Sequence, residues 1–197
     1  MGSIHFLIKY FNNINILLLA ITSLSYPQMY FTEVAEEYGV FGPPKWNHNE
    51  THWIDYDNDN DLDLHSPIHS FAINPYTPNV DSLYNNIIED SIFISVAPDV
   101  GLTNTDGLSY YHTWGDFNQD GWIDCYVING AGSWGAPDVP PHLYLNLIGL
   151  YFEEQGQEWG LEMRAYDIRS CTGDYDGDGD LDIYVSSRSG GPNQLLK

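Results

Sequence analysis

An acidic pattern of ten residues occurs three times in the chain, and it constrains the fold more than any other feature of the sequence. The three copies begin about 60 residues apart, at Asp55, Asp116 and Asp174. They read DYDNDNDLDL, DFNQDGWIDC and DYDGDGDLDI. Because each copy alternates acidic or amide residues with turn-forming residues and then becomes apolar, the pattern predicts a turn that leads into a strand.

The residues around the three loops repeat as well. Upstream of each loop, a segment begins with Phe and ends in Gly followed by Val or Leu, at residues 31–40, 93–102 and 152–161. Downstream of the first two loops come Leu-Tyr-Asn at residues 83–85 and Leu-Tyr-Leu-Asn at residues 143–146, and the third unit continues to Lys197. We therefore divide the chain into three repeats of about residues 30–90, 91–150 and 151–197.

Each repeat is predicted to be all-β. Short runs of apolar and aromatic residues follow each loop, and clusters of Gly, Pro, Asn and Ser separate them, as at residues 74–79 and 130–137. A unit of about 60 residues has room for about four strands, which make one blade of a β-propeller. The sequence thus predicts about three blades in residues 26–197. Since closed propellers have about four to eight blades, we expect these to be part of a larger propeller.

The loops place oxygen donors where a bound cation needs them. Loop positions 1, 3, 5 and 9 carry Asp or Asn, and position 6 is Asn60, Gly121 or Gly179, which tolerate the positive φ of a sharp turn. Position 7 can contribute its backbone carbonyl, which would explain why Trp122 is accepted there. The predicted metal ligands are Asp55, Asp57, Asp59, Asp61, Asp63, Asp116, Asn118, Asp120, Trp122, Asp124, Asp174, Asp176, Asp178, Asp180 and Asp182.

Electrostatics favours a cation in these loops. Carboxylates about 4 Å apart repel by roughly 4 kcal/mol per pair at an effective dielectric near 20. Oxygen donors in a flexible loop suit Ca²⁺ better than Mg²⁺, so we expect about three Ca²⁺ per chain. An EF-hand is excluded because loop position 12 is Ser66, Val127 or Val185 rather than Glu. The alternative is an acidic surface turn without an ion.

The net charge and the N-terminal residues indicate the class of partner and the location of the protein. The chain has 28 Asp and Glu against 6 Lys and Arg, for a net charge of −22, which argues against nucleic acid and anionic membranes as partners. Residues 14–21 form a short apolar run, followed by Ser23 and Ser25 at the spacing of a cleavage site. We therefore predict a signal peptide at residues 1–25, no membrane span and a secreted or cell-surface protein. A buried N-terminal element or an uncleaved anchor is the alternative.

The repeats resemble a known family. DxDxDGxxD loops leading into a Leu-Asp-Ile-Tyr-Val-like strand are similar to the FG-GAP/VCBS repeats of integrin-α-type calcium-binding β-propellers. The Phe-to-Gly segments, the Trp114-Gly115-Asp116-Phe117 start and the Leu-Tyr-x-Asn ends are most similar to ASPIC/UnbV-type and cartilage-acidic-protein-like secreted proteins. The resemblance implies seven or so blades, extracellular adhesion or recognition, and further repeats beyond Lys197. Asn60 departs from the motif, where Gly is usual.

Other residue patterns are weaker. His65 and His69 have i, i+4 spacing, but Pro67 disfavours a helix that would align them for zinc, so we interpret the histidines as polar loop residues. Cys125 and Cys171 are either a disulfide or two core residues. The abundant Trp and Tyr residues are either packing residues or a carbohydrate-binding face.

The sequence favours binding over catalysis. It contains no GxSxG, HExxH or phosphate-loop motif, so we predict no catalytic residue and expect the protein not to be an enzyme. The predicted partner is an extracellular protein or glycan. The alternative is a fragment of a propeller-based extracellular enzyme, such as a polysaccharide lyase or hydrolase, whose site residues need not form a local motif.

Overall fold

A computed structural model describes residues 30–40, 50–67, 82–104, 109–129, 139–162, 167–188 and 191–197. Contacts divide the chain into one unit up to Glu33 and a second from Val34 to Lys197. Residues 30–33 of the first unit form no strand. The predicted signal peptide at residues 1–25 lies outside the described residues. The described part of the chain contains no helix long and apolar enough to cross a membrane.

The described residues of the second unit form eleven strands in three antiparallel sheets. Sheet 1 has the order β1-β2-β3-β4, sheet 2 the order β5-β6-β7-β8, and sheet 3 the order β11-β10-β9. Because neighbours in sequence are also neighbours in each sheet, every sheet is a simple meander. The strands are β1 (His52–Ile54), β2 (Asp63–Ser66), β3 (Ser82–Ile87), β4 (Ile92–Ser95), β5 (Ser109–Gly115), β6 (Asp124–Asn129), β7 (His142–Leu147), β8 (Tyr151–Glu154), β9 (Asp167–Gly173), β10 (Asp182–Ser187) and β11 (Gln194–Leu196).

This architecture confirms the predicted fold class. The described residues are all-β, and the three sheets of four, four and three strands are consistent with propeller blades. The sheets recur at the same interval as the sequence repeats, but the boundaries of the sheets are shifted along the chain relative to those of the repeats. The Phe-led segments that open the second and third repeats supply β4 and β8, the last strands of the preceding sheets.

Two apolar layers hold the sheets together in series. The first lies between sheets 1 and 2 and contains Leu83, Cys125 and Val127 among its buried residues. The second lies between sheets 2 and 3 and contains Tyr126 and Ile183. Cys125 and Tyr126 are consecutive on β6 and enter opposite layers, as the alternation of side chains along a strand requires. Sheet 2 is therefore buried on both faces, which explains why all six residues of β6 are buried.

A single helical turn follows β4 and another follows β8. The N–H of Val100 donates to the carbonyl of Val96 at 3.0 Å, and Gly101 ends the turn with a φ of +77°. Such a left-handed residue is the usual end of a helical turn, and glycine adopts it without strain. Equivalent turns end at Gly39 and Gly160. The Gly that closes each Phe-led segment in the sequence thus has a conformational reason.

Candidate metal centres and a groove between the sheets

Each acidic loop joins the first strand of a sheet to the second. The loops occupy residues 55–62, 116–123 and 174–181, between β1 and β2, β5 and β6, and β9 and β10. At position 6 the backbone has φ values of +73° at Asn60, +90° at Gly121 and +98° at Gly179. The predicted sharp turn is therefore present in all three loops, and Asn accepts it in the first because its polar side chain tolerates this conformation.

The carboxylate at position 1 fastens this turn. Asp116 Oδ2 accepts a hydrogen bond from the N–H of Gly121 at 2.9 Å, and Asp55 and Asp174 accept the equivalent bond at 3.2 and 3.1 Å. A charged acceptor makes such bonds about twice as strong as neutral ones. The position 1 carboxylate therefore shapes the loop as well as offering oxygen to an ion.

The carboxylate at position 9 ties the loop to the rest of its sheet. Asp124 is fully buried; its Oδ2 accepts from the N–H of Phe117 at 2.9 Å and its Oδ1 from the N–H of Asn146 on β7 at 2.8 Å. Asp63 makes the same two bonds with Tyr56 at 3.2 Å and Asn86 at 2.9 Å. These bonds link the loop to the third strand of the sheet, so position 9 has a structural role whether or not an ion is bound.

Two of the three loops bring carboxylates together in a group that could hold a metal ion. In loop 1 the group is Asp55, Asp57 and Asp63, and in loop 3 it is Asp174, Asp176 and Asp182. One carboxylate oxygen from each member lies within 4.8 Å of the others. The predicted ligands at positions 1, 3 and 9 are thus brought together in both loops.

Unsatisfied oxygen atoms, one in each group and one at position 7 of the same loop, make loops 1 and 3 suitable for a hard cation. Among the described residues, no hydrogen bond reaches the buried Oδ1 atoms of Asp57, Asp61, Asp180 and Asp182. A buried carboxylate oxygen without a donor is costly, and a divalent cation with oxygen ligands relieves that cost. The donor set, all oxygen, is the one that Ca²⁺ prefers.

Positions 5 and 7 are arranged differently from positions 1, 3 and 9. The Oδ1 atoms of Asp59, Asp120 and Asp178 accept hydrogen bonds from the N–H of the residue two positions later, at 3.0, 2.9 and 3.4 Å. In this arrangement they stabilise the turn as Asx turns do. The predicted roles of positions 5 and 7, including the backbone carbonyl of Trp122, stay predictions.

Loop 2 differs from the other loops in its electrostatics. Its position 3 is Asn118, whose amide donates to Asp120 Oδ2 at 2.9 Å. That hydrogen bond satisfies a carboxylate oxygen that a cation would otherwise hold. Loop 2 therefore has fewer charges and one internally paired carboxylate, and its carboxylates do not form a group like those of loops 1 and 3 among the described residues.

Carboxylate pKa values reflect the crowding of the loops. Burial raises the pKa of Asp63 to about 7, against the hydrogen bonds from Asn86 and Tyr56. Burial likewise raises the pKa of Asp124 to about 6. Burial, followed by the charges of neighbouring Asp59, also raises the pKa of Asp57. A cation at these groups would favour the ionised carboxylates and so lower all three pKa values.

Lys197 partly neutralises loop 3. Its ammonium group contacts Asp176 and lies 3.2 Å from Asp178. The hydrogen bonds that Lys197 donates to these carboxylates raise its pKa above the ordinary value and keep it protonated. Because this pair is exposed, it is screened by solvent and contributes little stability.

Two asparagines near the ends of the third strands hold parts of the site in place and were not predicted from the sequence. Asn146 donates to the backbone carbonyl of Tyr56 in sheet 1 at 2.7 Å and accepts from the N–H of Gly149 at 2.8 Å. Asn85 donates to Asp57 Oδ2 at 2.8 Å and orients that predicted ligand. The recurrence of Leu-Tyr-x-Asn was the available signal for Asn146, whereas Asn85 stands at the x position of that pattern; their partners are 90 and 28 residues away in sequence.

A groove of about 550 Å³ runs beside the first strands of the three sheets. Residues from β1, β5 and β9 line it, among them His52, Trp53, Tyr111, His112 and Trp114. The guanidinium of Arg169 lies 4.7 Å from the centre of the Tyr111 ring. The groove thus combines aromatic faces with polar edges, which is the composition of many sites for small polar ligands.

The interpretation of the histidines as polar loop residues is wrong for three of them, which lie beside the groove. His52, His65 and His112 lie in strands, and His65 and His112 are fully buried. His112 Nδ1 lies 2.8 Å from Glu50 Oε1, and the ring centres of His65 and His112 are 4.6 Å apart. Burial keeps the pKa of His65 well below its ordinary value, so its ring is neutral. His69, which has the i, i+4 spacing to His65 considered for a zinc site, lies outside the described residues.

The cysteines occupy different environments. Cys125 is buried between sheets 1 and 2, whereas Cys171 is exposed on β9. Neither cysteine forms a disulfide in this structure. Cys125 is therefore a core residue, which is one of the two interpretations that the sequence allows.

Comparison with known families identifies an FG-GAP-like repeat at residues 116–185. The match begins at the first residue of loop 2, includes loop 3 and ends on β10. No curated protein matches the chain significantly. FG-GAP repeats are propeller repeats typical of extracellular proteins, in agreement with the three sheets and their acidic loops. The chain therefore contains an FG-GAP-like repeat within an all-β fold of propeller-type blades.

Proposed function

We propose that this chain is a secreted calcium-binding recognition module, related to ASPIC/UnbV-type and cartilage-acidic-protein-like proteins, in which calcium is structural. The observation that carries the proposal is the recurrence of one loop arrangement in three sheets. In each loop the position 9 carboxylate accepts from the N–H at position 2, and the position 1 carboxylate accepts from the N–H at position 6. A structural ion repeated once per folding unit fits this arrangement better than a single catalytic centre.

Calorimetric titration of the calcium-depleted protein tests the metal assignment. We expect about three Ca²⁺ per chain, with loop 2 the weakest site because Asn118 replaces an acidic ligand. Asn118→Asp should therefore tighten one site, while Asp57→Asn should weaken another. Glu158→Gln, which removes an exposed carboxylate outside the loops, is the control for net charge. A single site, or loop 2 as the tightest site, would contradict the assignment.

The recognition function is proposed to reside in the groove along β1, β5 and β9. Tyr111 and Trp114 supply aromatic surface, and Arg169 beside Tyr111 supplies a positive charge in a chain that has few. Aromatic rings that carry polar groups suit the faces and hydroxyls of a sugar. We therefore place an extracellular glycan, or a protein loop of similar chemistry, in this groove.

A glycan array followed by quantitative binding measurements tests this assignment. Tyr111→Ala should abolish binding of any glycan captured by the wild-type protein. Tyr110→Ala is the matched control, because Tyr110 is the adjacent tyrosine, is also partly buried against the second apolar layer and does not line the groove. Equal losses in both variants, or hydrolysis or elimination of a captured acidic polysaccharide, would count against a binding module and favour the enzyme alternative.

A further inference from the structure

The groove along β1, β5 and β9 contains no acidic side chain among the described residues that line it. The chain as a whole has 28 Asp and Glu against 6 Lys and Arg. The polar groups of the groove belong instead to His, Thr, Ser, Tyr and Trp side chains. Because carboxylates in the wall of a site repel a negatively charged ligand, a groove without them suits such a ligand better than the acidic loops do.

The carboxylate of Glu50 lies close to the groove but is buried. Its neighbours Thr51 and His52 line the groove, whereas its own side chain is only 7% exposed. Glu50 Oε1 accepts from the backbone N–H of His112 at 2.5 Å and lies 2.8 Å from His112 Nδ1, and Oε2 lies 3.5 Å from His52 Nε2. These contacts engage the carboxylate within the protein, so it presents little negative charge to a ligand.

Arg169 places a positive charge beside the groove. Its side chain is exposed, its guanidinium lies 4.7 Å from the centre of the Tyr111 ring, and its Nη1 donates to the carbonyl of Ile168 at 3.1 Å. No carboxylate of the described residues forms an ion pair with it, whereas Lys197 contacts the acidic residues of loop 3. Since a guanidinium carries N–H donors on all of its nitrogens, Arg169 retains donors for a ligand.

The backbone at Arg169 is held on two sides. Arg169 pairs with Ser186 on β10, and Ser186 Oγ donates to its carbonyl at 3.3 Å. The next residue, Ser170, is buried and forms a hydroxyl–hydroxyl hydrogen bond with Thr113 on β5, the strand that also carries Tyr111. The guanidinium and the ring are thus brought together before a ligand binds, which lowers the ordering cost of binding.

We infer that the groove binds an acidic glycan, in which a carboxylate or sulfate group pairs with Arg169 while the sugar rings contact Tyr111 and Trp114. The inference rests on the recognition function proposed above and names the class of its ligand. The planar guanidinium matches two oxygens of an oxyanion, and such charge-assisted hydrogen bonds are about twice as strong as neutral ones. Carboxylate and sulfate share this chemistry, and matched glycans distinguish them experimentally.

The net charge of −22 restricts the ligand further. A dense polyanion needs many cationic contacts, whereas one acidic sugar needs a single guanidinium. At physiological ionic strength, charges are screened beyond about 8 Å, so the groups that line the groove outweigh charges elsewhere on the surface. The expected ligand is therefore a glycan whose acidic sugars are isolated rather than consecutive.

A glycan array built from matched pairs tests the inference on the calcium-loaded full chain. Each pair consists of a glycan with one uronic acid or one sulfate ester and the same glycan after carboxyl reduction or desulfation. We expect capture of acidic members, with an affinity at least about tenfold higher than that of the neutral counterpart, because a charge-assisted hydrogen bond is lost. Loss on carboxyl reduction identifies a carboxylate ligand, and loss on desulfation identifies a sulfate ligand.

Two results of the array contradict different statements. Equal affinity for the acidic and neutral members of each captured pair would overturn the inference and leave the recognition function intact. Capture of no glycan would contradict the recognition function itself, and the inference with it.

Variants of two arginines separate a direct contact from a general effect of charge. Arg169→Gln should lower the affinity for the acidic glycan at least about tenfold and change that for its neutral counterpart much less. Arg188→Gln is the matched control, because Arg188 is exposed, follows β10, does not line the groove and loses the same charge. It should bind like the wild-type protein.

A conservative variant tests the geometry of the contact. Arg169→Lys should bind the acidic glycan with an affinity between those of the wild-type protein and Arg169→Gln, since an ammonium keeps the charge but not the planar fork. Thermal melts check that each variant retains the fold. Equal losses in Arg169→Gln and Arg188→Gln would show that net charge controls binding, and would overturn the inference.

Discussion

At the scale of single residues, the carboxylate at position 9 is buried in loops 1 and 2. Asp63 and Asp124 each accept two backbone hydrogen bonds, yet burial raises their pKa values to about 7 and about 6. The two hydrogen bonds do not offset the free-energy cost of removing the ionised carboxylate from solvent. Without a cation, each carboxyl group therefore retains its proton up to a higher pH in the folded state than in the unfolded chain.

These shifts predict how stability changes with pH in the calcium-depleted protein. Since the folded pKa values exceed the unfolded value of 3.8, the stabilisation is complete below about pH 4 and is lost as the pH rises through about 6 to 7. The melting temperature should fall from about pH 5 to about pH 8. Calcium should reverse that trend, because it stabilises the ionised carboxylates.

Thermal melts with and without calcium across this range test the prediction. Asp63→Asn should weaken the pH dependence of the depleted protein, because an amide does not titrate in this range. Asp59→Asn, in the same loop but at an exposed position, should retain it. A depleted wild-type protein with a constant melting temperature would show that the position 9 carboxylates do not control stability.

At the scale of strands and loops, the sequence predicted the local features of the arrangement, whereas the pairing between distant segments had to come from the structure. The loops, their turn at position 6 and the strands after them follow from local residue preferences, which one segment contains by itself. The boundaries of the sheets along the chain do not follow from these local preferences. Phe93 opens a repeat in sequence, but β4 pairs with β3 of the preceding sheet, and only the pairing shows this.

Long-range contacts also explain what was missed in the candidate site. The roles of Asn85 and Asn146 depend on partners in other elements, and the burial of His65 depends on sheet 2 packing over sheet 1. Position 9 was predicted as a ligand, whereas its bonds to β3 and β7 could not be read from one loop. Local chemistry was thus predictable, and the contacts between segments were not.

At the scale of the whole molecule, three sheets packed in series depend on their loops for cohesion. The two apolar layers of the described residues join neighbouring sheets, so the stability of the array is approximately the sum of sheet stabilities and interface terms. The loops lie where adjacent sheets meet: Asn58 donates to the carbonyl of Gly121 at 3.0 Å, and Asn146 donates to that of Tyr56. An ion that orders a loop therefore stabilises its own sheet and the contact with the next one.

The size of this effect gives the last prediction. Extracellular calcium modules have Kd values of roughly 10⁻⁴ to 10⁻³ M, so millimolar calcium would stabilise each site by about 0.4–1.4 kcal/mol. Three sites would contribute about 1–4 kcal/mol, a large share of the stability of a typical domain. Chelation should accordingly lower the melting temperature, by about 2–4 °C for each kcal/mol lost.

Calorimetric melts of single-loop variants assign this loss to individual sheets. Asp176→Ala should remove about one third of the calcium-dependent increase in melting temperature, since the three sites act independently. Asp120→Ala should remove less, because loop 2 is the weakest site. Both variants should bind a glycan normally below their melting temperatures, since the groove lies along the first strands and neither Asp176 nor Asp120 lines it. If a chelator leaves the melting temperature unchanged, or if one loop variant abolishes a measurable turnover while the fold stays intact, calcium is not the structural ion proposed for these loops.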